Sequence, residues 1–284
     1  MSDPVLSTVT RFAPSPTGLL HLGHAYAALF AFRAAQETGG RFLLRIEDID
    51  TGRCRAEFED ALYEDLAWLG LSWETPVRRQ SEHFDAYARA LDVLSAMDIL
   101  YPCFCTRKDI AAEIERSGHA PHGPDGPLYP GICRALSPDA RAARIKRGDS
   151  YALRLDMARA RVLTGPLMWF DRTRDRTVAA TPEIFGDVVL ARKETPASYH
   201  LACTLDDHIQ GVTVVTRGED LFAATHVHRL LQALLTLDTP HYHHHPLLTG
   251  ETGERLAKRD KALSLRALRA AGRSPEAVIA LTGL

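Results

Sequence analysis

The sequence predicts an α/β protein built on a doubly wound parallel sheet, with an insertion in its middle and a short helical segment at its end. The first 50 residues read as strand, turn, helix and strand. The composition changes abruptly from Tyr101 to about Gly148, and apolar strand and helix patterns return after Ser198.

Residues 9–13 make a short strand, and Pro14 and Pro16 keep the chain extended beyond it. Residues 22–37 are apolar at helical spacing, and Gly39-Gly40 closes that helix. Arg41–Ile46 is β-rich and runs into Glu47, Asp48 and Asp50. Such a strand–helix–strand unit is what doubly wound sheets are assembled from. Residues 57–69 and 83–97 read as amphipathic helices.

Residues 101–148 hold three cysteines and a loop rich in Pro, Gly and His at 117–130, the marks of an insertion. Strands are expected at 152–156 and 185–191, with Pro- and Arg-rich turns between them. Residues 198–205 and 212–216 rejoin the pattern of the main sheet, 221–235 is a helix, and 242–245 is a strand. The expected divisions are 1–100 (first half of the sheet domain), 101–195 (insertion), 196–240 (second half) and 241–284 (loop and terminal helical segment).

With 284 residues, 45% of them apolar, the chain can bury a real core. No apolar run is long enough to span a bilayer, and the first residues lack a secretory signal, so a cytoplasmic protein with no membrane partner is expected. A net charge of −2 gives no overall attraction for nucleic acid, so an RNA partner would need local basic patches. Residues 141–147 and the trio Arg266, Arg269 and Arg273 qualify, although both read first as solvated helix faces. Five cysteines without a secretory context point to metal or free thiols rather than disulfides. Gly-x-Gly-x-x-Gly and Walker A patterns are absent, which weakens NAD and P-loop readings.

The stretch from Arg11 to His24 has the chemistry of a nucleotide site. Gly18 and Gly23 remove side chains where a ligand would approach the backbone. The helix that follows offers free N–H groups and the positive end of its dipole to a phosphate, and His21 and His24 add donors there.

These residues also carry a family resemblance. His21-Leu22-Gly23-His24 resembles the HIGH signature of class I aminoacyl-tRNA synthetases. Arg11 to Gly18 (RFAPSPTG), with Leu43 to Asp50 (LLRIEDID) downstream, is similar to the glutamyl branch of that class. The resemblance implies a Rossmann-like catalytic domain whose ATP site includes Pro14, Gly18, His21, Gly23 and His24, with Mg2+ accompanying the ATP. A basic loop supplies the other half of such a site, and Glu254 to Arg259 (ERLAKR) resembles the KMSKS signature. Lys258 matches its second lysine, which stabilises departing pyrophosphate. Arg255 replaces the first lysine and Ala257 replaces the serine, so one polar contact of about 0.5–1.5 kcal/mol is lost. His21, His24 and Lys258 are the expected catalytic residues.

Glutamate has one ammonium and two carboxylates, so its pocket needs an anion and cations. At positions matching the family's pocket stand Arg11 and Arg217 for carboxylates, Glu47 for the ammonium, and Tyr199 and Ser15 for hydrogen bonds. Which arginine takes which carboxylate stays open.

Cys103, Cys105 and Cys133 offer three thiolates of the kind zinc prefers. The resemblance supplies Tyr129 as fourth ligand, in the pattern Tyr-x-x-x-Cys-Arg, and His119 and His122 are the chemical alternatives. Such a zinc would staple the insertion. Cys54 and Cys203 read as free thiols. Adjacent histidines at 243–245 alternate faces on a strand and cannot easily share one metal, so His243 or His245 lines the ATP site at most.

The chain ends 25 residues after Arg259, too soon for the anticodon-reading region of glutamyl-tRNA synthetases. The resemblance therefore implies the shortened glutamyl-queuosine tRNA(Asp) synthetases. That family activates L-glutamate with ATP and passes it to the queuosine base at the wobble position of tRNA(Asp), and a monomer is expected. Two other readings stay open: a minimal or split glutamyl-tRNA synthetase charging the 3′ end of tRNA(Glu), and a zinc-bearing RNA-binding module without ATP chemistry.

Overall fold

The computed structural model describes residues 7–117, 122–248 and 264–284. Strand β1 (Val9–Phe12) is buried throughout and runs parallel to β2 (Arg41–Ile46), with Thr10 opposite Phe42. Helix α1 (Leu22–Gln36) connects them and packs Ala25, Ala28 and Leu29 into the core. The turn from α1 into β2 needs glycine for a specific reason. Gly39 takes φ +63°, and a Cβ on Gly40 would lie 2.1 Å from the Thr8 carbonyl oxygen. That same oxygen accepts the Arg41 N–H at 2.8 Å, so it cannot move away.

Helix α2 (Ala56–Trp68) leads to β3 (Arg78–Arg79), which pairs in parallel with β2, and then to α3 (Phe84–Ala96). The next segment carries β4 (Leu100–Cys103), α4 (Arg107–Ser117), a small hairpin of β5 (His122–Gly123) and β6 (Gly126–Pro127), and α5 (Pro138–Lys146). It continues through β7 (Ala152–Leu155), α6 (Met157–Thr164), a hairpin of β8 (Met168–Asp171) and β9 (Arg176–Ala179), and β10 (Val189–Arg192). Strands β10, β7 and β4 form their own antiparallel sheet.

After α7 (Tyr199–Ile209) come β11 (Val214–Gly218), α8 (Ala224–Leu234), β12 (His241–His245), α9 (Leu265–Ala270) and α10 (Pro275–Thr282). Strands β11, β12 and β8 are parallel, and β9 closes that sheet as an antiparallel edge. Strand β1 lies beside β11, where the Thr213 N–H donates to the Val9 carbonyl at 3.0 Å. The chain thus winds away from β1 on both sides, and ligands of open α/β sheets bind beyond the strand carboxyl ends at such a point. Arg11, Glu47 and Arg217 all stand there.

The parallel pairing expected for the main sheet is present, whereas two segments differ from expectation. Residues 198–205 belong to helix α7, capped by Ser198, whose Oγ accepts the Leu201 N–H at 3.4 Å. Leu201, Ala202, Cys203 and Thr204 are all buried, so this helix lacks the polar face that reveals helical spacing. The strand expected from residue 185 starts at Val189, because Pro182–Phe185 forms a 3-10 turn and Gly186 takes φ +61°.

One hydrophobic core unites both parts of the molecule: Leu94 of α3, Leu155 of β7, Leu190 of β10, Leu201 of α7 and Leu230 of α8 belong to a single cluster. Among the described residues, no helix is long and apolar enough to cross a membrane.

Gly40→Ala should destabilise the fold by about 1–3 kcal/mol, the usual cost of overpacking. Gly18→Ala, whose Cβ would meet nothing within 4 Å, should leave stability unchanged. Denaturant unfolding of both variants checks this, and equal midpoints would show that the α1–β2 turn yields.

Candidate active site and cysteine cluster

His21 is the N-cap of α1, and its Nδ1 accepts the Gly23 N–H at 3.1 Å. His24 Nδ1 accepts the His21 N–H at 3.2 Å, and the two rings stack with centroids 3.8 Å apart. With each Nδ1 acting as acceptor, the proton of each neutral ring resides on Nε2. The helix N-terminus thus carries two imidazole donors whose tautomers its own backbone sets. Gly23 serves this arrangement: a Cβ there would press on the His21 ring at 3.1 Å.

Backbone bonds pin the preceding segment. The Pro14 carbonyl accepts the Glu47 N–H, and the Pro16 carbonyl accepts the Arg55 N–H, both at 3.0 Å. Ser264 bridges to His21, and the Leu265 N–H donates to the Leu20 carbonyl at 2.8 Å. Residues 264 and 265 therefore lie against the histidine signature. Arg255, Ala257 and Lys258 lie outside the described residues, as does His119.

Arg11, Ser15, Glu47, Tyr199 and Arg217 line one cavity of about 340 Å³. Ala27, one turn beyond His24 on α1, forms part of its wall. Beneath it lies a buried charge network. Arg11 donates from Nε and Nη2 to the two oxygens of Asp207, at 2.9 and 3.3 Å, and from Nη1 to the Thr216 carbonyl at 2.9 Å. Arg45 donates to the same Asp207 at 2.8 Å and to Glu47 Oε1 at 3.0 Å. Arg78, Gln80 and Tyr87 converge on Asp206. Burial pushes the Asp207 carboxyl up, but Arg11 and Arg45 outweigh it and hold Asp207 below its usual range. For Glu47 the balance reverses, and burial wins over Arg45 and Arg11.

Arg217 is a different case. It is buried, and its donors go to His244 Nε2 at 3.4 Å, His228 Nδ1 at 3.1 Å and Thr225 Oγ1. Among the described residues no carboxylate pairs with it. His228 Nε2 then donates to His200 Nδ1 at 3.2 Å, continuing the chain outward. Burial first, and the Arg217 charge second, push His200 down to about 4 and His244 down to about 3. His228 is driven well below its ordinary value for the same reasons. At neutral pH these rings are uncharged, and Arg217 supplies the cationic charge of the cluster.

Sequence reasoning missed Arg45, Asp207, Thr225 and His228. The signal for Arg45 was present, since a charge inside the apolar strand Arg41–Ile46 has to be paired. The histidines of β12 alternate as expected: His243 packs edge-on against Phe30 and His245 against Tyr26, while His244 faces Arg217.

In the insertion, the sulfurs of Cys103, Cys105 and Cys133 lie within 4.8 Å of one another. Tetrahedral zinc–thiolate bonds of ~2.3 Å place sulfurs ~3.8 Å apart, so the cluster needs little adjustment to hold a metal. Tyr129 Oη stands 3.6 Å from Cys105 Sγ and accepts the Cys133 N–H at 2.8 Å, whereas His122 is not part of this group. Cys54 and Cys203 are unpaired thiols.

The model of the family "tRNA synthetases class I (E and Q), catalytic domain" matches residues 7–284. A glutamyl-Q tRNA(Asp) synthetase of Rhodobacter capsulatus is 48% identical over 283 residues, covering 97% of this chain and 100% of that protein. The chain belongs to the glutamyl-Q branch of the class I synthetases. A glutamate–tRNA ligase of Aquifex aeolicus is 38% identical over 95% of this chain but only 55% of its own length. The solved glutamate–tRNA synthetase of Elizabethkingia anophelis superposes with a TM-score of 0.75 at 31% identity, over 89% of this chain and 53% of that one. The chain thus spans about half of those longer enzymes.

The depressed His200 makes a signed prediction for this synthetase. The unfolded chain protonates His200 near its ordinary 6.5, whereas the folded protein resists protonation until about 4. Stability is therefore lost as pH falls through that window, by about 2 kcal/mol between pH 7 and 5. His200→Gln should lose about that much less than the parent protein over the same interval in denaturant titrations. An identical loss would show that His200 titrates normally in the fold.

Proposed function

We propose that this synthetase activates L-glutamate with ATP and transfers it to the queuosine base at the wobble position of tRNA(Asp). The observation that carries the reading is the cavity at the strand carboxyl ends, lined both by Glu47 and by a buried Arg217 that has no carboxylate partner among the described residues. Such a pocket suits a ligand bearing both carboxylate and ammonium. Full-length similarity to a glutamyl-Q tRNA(Asp) synthetase supports the acceptor.

In this reading Arg217 receives a carboxylate of glutamate, because no carboxylate among the described residues pairs with it. Arg11, already neutralised by Asp207, contributes its remaining N–H groups. Glu47 keeps one oxygen on Arg45 and offers the other to the ammonium, and Ser15 and Tyr199 add hydrogen bonds. The glutamate carboxylate oxygen attacks the α-phosphorus of ATP, and pyrophosphate leaves. His21 and His24 donate from Nε2 to the phosphates at the start of α1, in the segment shaped by Pro14, Gly18 and Gly23. Lys258 and Arg255 take the charge of the departing pyrophosphate, which Mg2+ bound with ATP shares. A nucleophile of the queuosine ring then displaces AMP.

The thiolates of Cys103, Cys105 and Cys133 with Tyr129 fit one structural zinc. Cys133→Ser should lower bound zinc from one per chain to a small fraction, read by elemental analysis, and unchanged content would dismiss this ligand set.

The deciding assay offers labelled glutamate to tRNA(Asp) with queuosine, tRNA(Asp) without it, and tRNA(Glu). Label confined to the queuosine-bearing tRNA is expected. Label at the 3′ end of tRNA(Glu) would make this a minimal charging enzyme instead.

A further inference from the structure

The glutamate cavity does not stand alone. A second cavity of about 410 Å³ shares its Ser15, Glu47 and Tyr199 walls and reaches Asp50, Arg53 and Arg192. A third, of about 400 Å³, shares Ala191 and Arg192 with the second and continues to Lys193, Tyr151 and Ile145. The three form a continuous path from the glutamate cavity, over the end of β10, to the face of the insertion.

The chemistry changes along this path. Arg53 is paired with Asp50 at 2.5 Å, and Arg144 and Arg147 share Asp149 at 2.7 and 3.1 Å. Among the described residues, Arg192 and Lys193 have no carboxylate in ion-pair contact, although both are exposed and Glu194 follows them in sequence. Tyr151 is 37% exposed and is held from behind by Phe104, which it meets edge-on at 5.6 Å. Arg144 covers Phe104 at 4.3 Å and fixes that support. An exposed aromatic ring on a rigid base beside two unneutralised cations matches single-stranded nucleic acid, where rings stack on bases and cations follow phosphates.

We propose that this path binds the single-stranded nucleotides flanking the acceptor base, with Arg192 and Lys193 on their phosphates and Tyr151 stacked on a neighbouring base. The proposal rests on the function above for its acceptor, and on this surface for its contacts. It explains how a chain of net charge −2 holds RNA: two cations placed beside the reaction cavity serve where an overall field does not exist.

The test measures binding of the queuosine-bearing anticodon stem-loop of tRNA(Asp) by fluorescence anisotropy over a range of salt. Replacing both Arg192 and Lys193 by alanine should weaken binding at least tenfold and lower the log–log salt slope by about 1.4, at ~0.7 per phosphate contact. Tyr151→Ala should weaken binding with the slope unchanged, and Tyr151→Phe should restore it. Glutamate-dependent ATP–pyrophosphate exchange at saturating RNA should match the parent protein in every variant, which shows that they fold. Parental affinity and slope in the double variant, or no binding of this RNA by the parent protein, would overturn the proposal. Glutamate attached to a 3′ end while these slopes still change would refute the proposed acceptor and leave the surface standing.

Discussion

Asp207 holds the catalytic half of the molecule together. It sits on α7, yet its carboxylate is shared by Arg11 of β1 and Arg45 of β2, residues more than 160 positions away in the chain. All three side chains are buried, so each charge has surrendered its water and depends on the others. Breaking such a pair by removing one partner typically costs about 3–5 kcal/mol, because the remaining charge is left without compensation. Replacing a buried ionic network by well-packed apolar side chains is often neutral or stabilising, so stability alone does not account for it. What the network adds is placement: Arg45 also grips Glu47, so β1, β2 and α7 present their cavity-facing atoms in one fixed relation.

Against that neutralised base, Arg217 is an intended imbalance. Histidines 228 and 244 and Thr225 satisfy its N–H geometry without cancelling its charge. The rings remain neutral because burial and Arg217 itself depress their protonation. A guanidinium oriented by neutral acceptors is preorganised for an anion, and a carboxylate placed there would offset a desolvation cost that the fold already bears. The two arginines look equivalent in the sequence, and only their partners separate a cation paired with a carboxylate from one held by neutral acceptors.

Much of the architecture was legible because local signals and tertiary packing agree in it. The β1–α1–β2 unit has its prolines, its glycine closure and its periodicity, and each appears where expected. Helix α7 was not legible as a helix, since burial on nearly all sides erased the polar face that would show its period. The five pocket residues meet in one cavity as their motifs suggested, but Asp207 and His228 carry no motif and emerge only through contacts across the fold. The sequence reads Gly23 as clearance for a ligand, and the structure adds that the His21 ring needs that clearance too. A glycine in a motif reports that space is needed without saying which group needs it.

Helix α1 gathers segments that lie far apart in the chain. Its N-terminus sets the tautomers of His21 and His24, and its aromatic face receives His243 and His245 from β12. Leu248, just before residues 249–263, packs in the same core cluster as Ala25 and Leu29 of α1. Ser264, just after them, pairs with His21, and Leu265 and Val278 join that cluster as well. The residues on both sides of 249–263 therefore join the cluster that α1 helps to build. Helix α1 is thereby a common support for the histidine signature and for the chain on either side of residues 249–263.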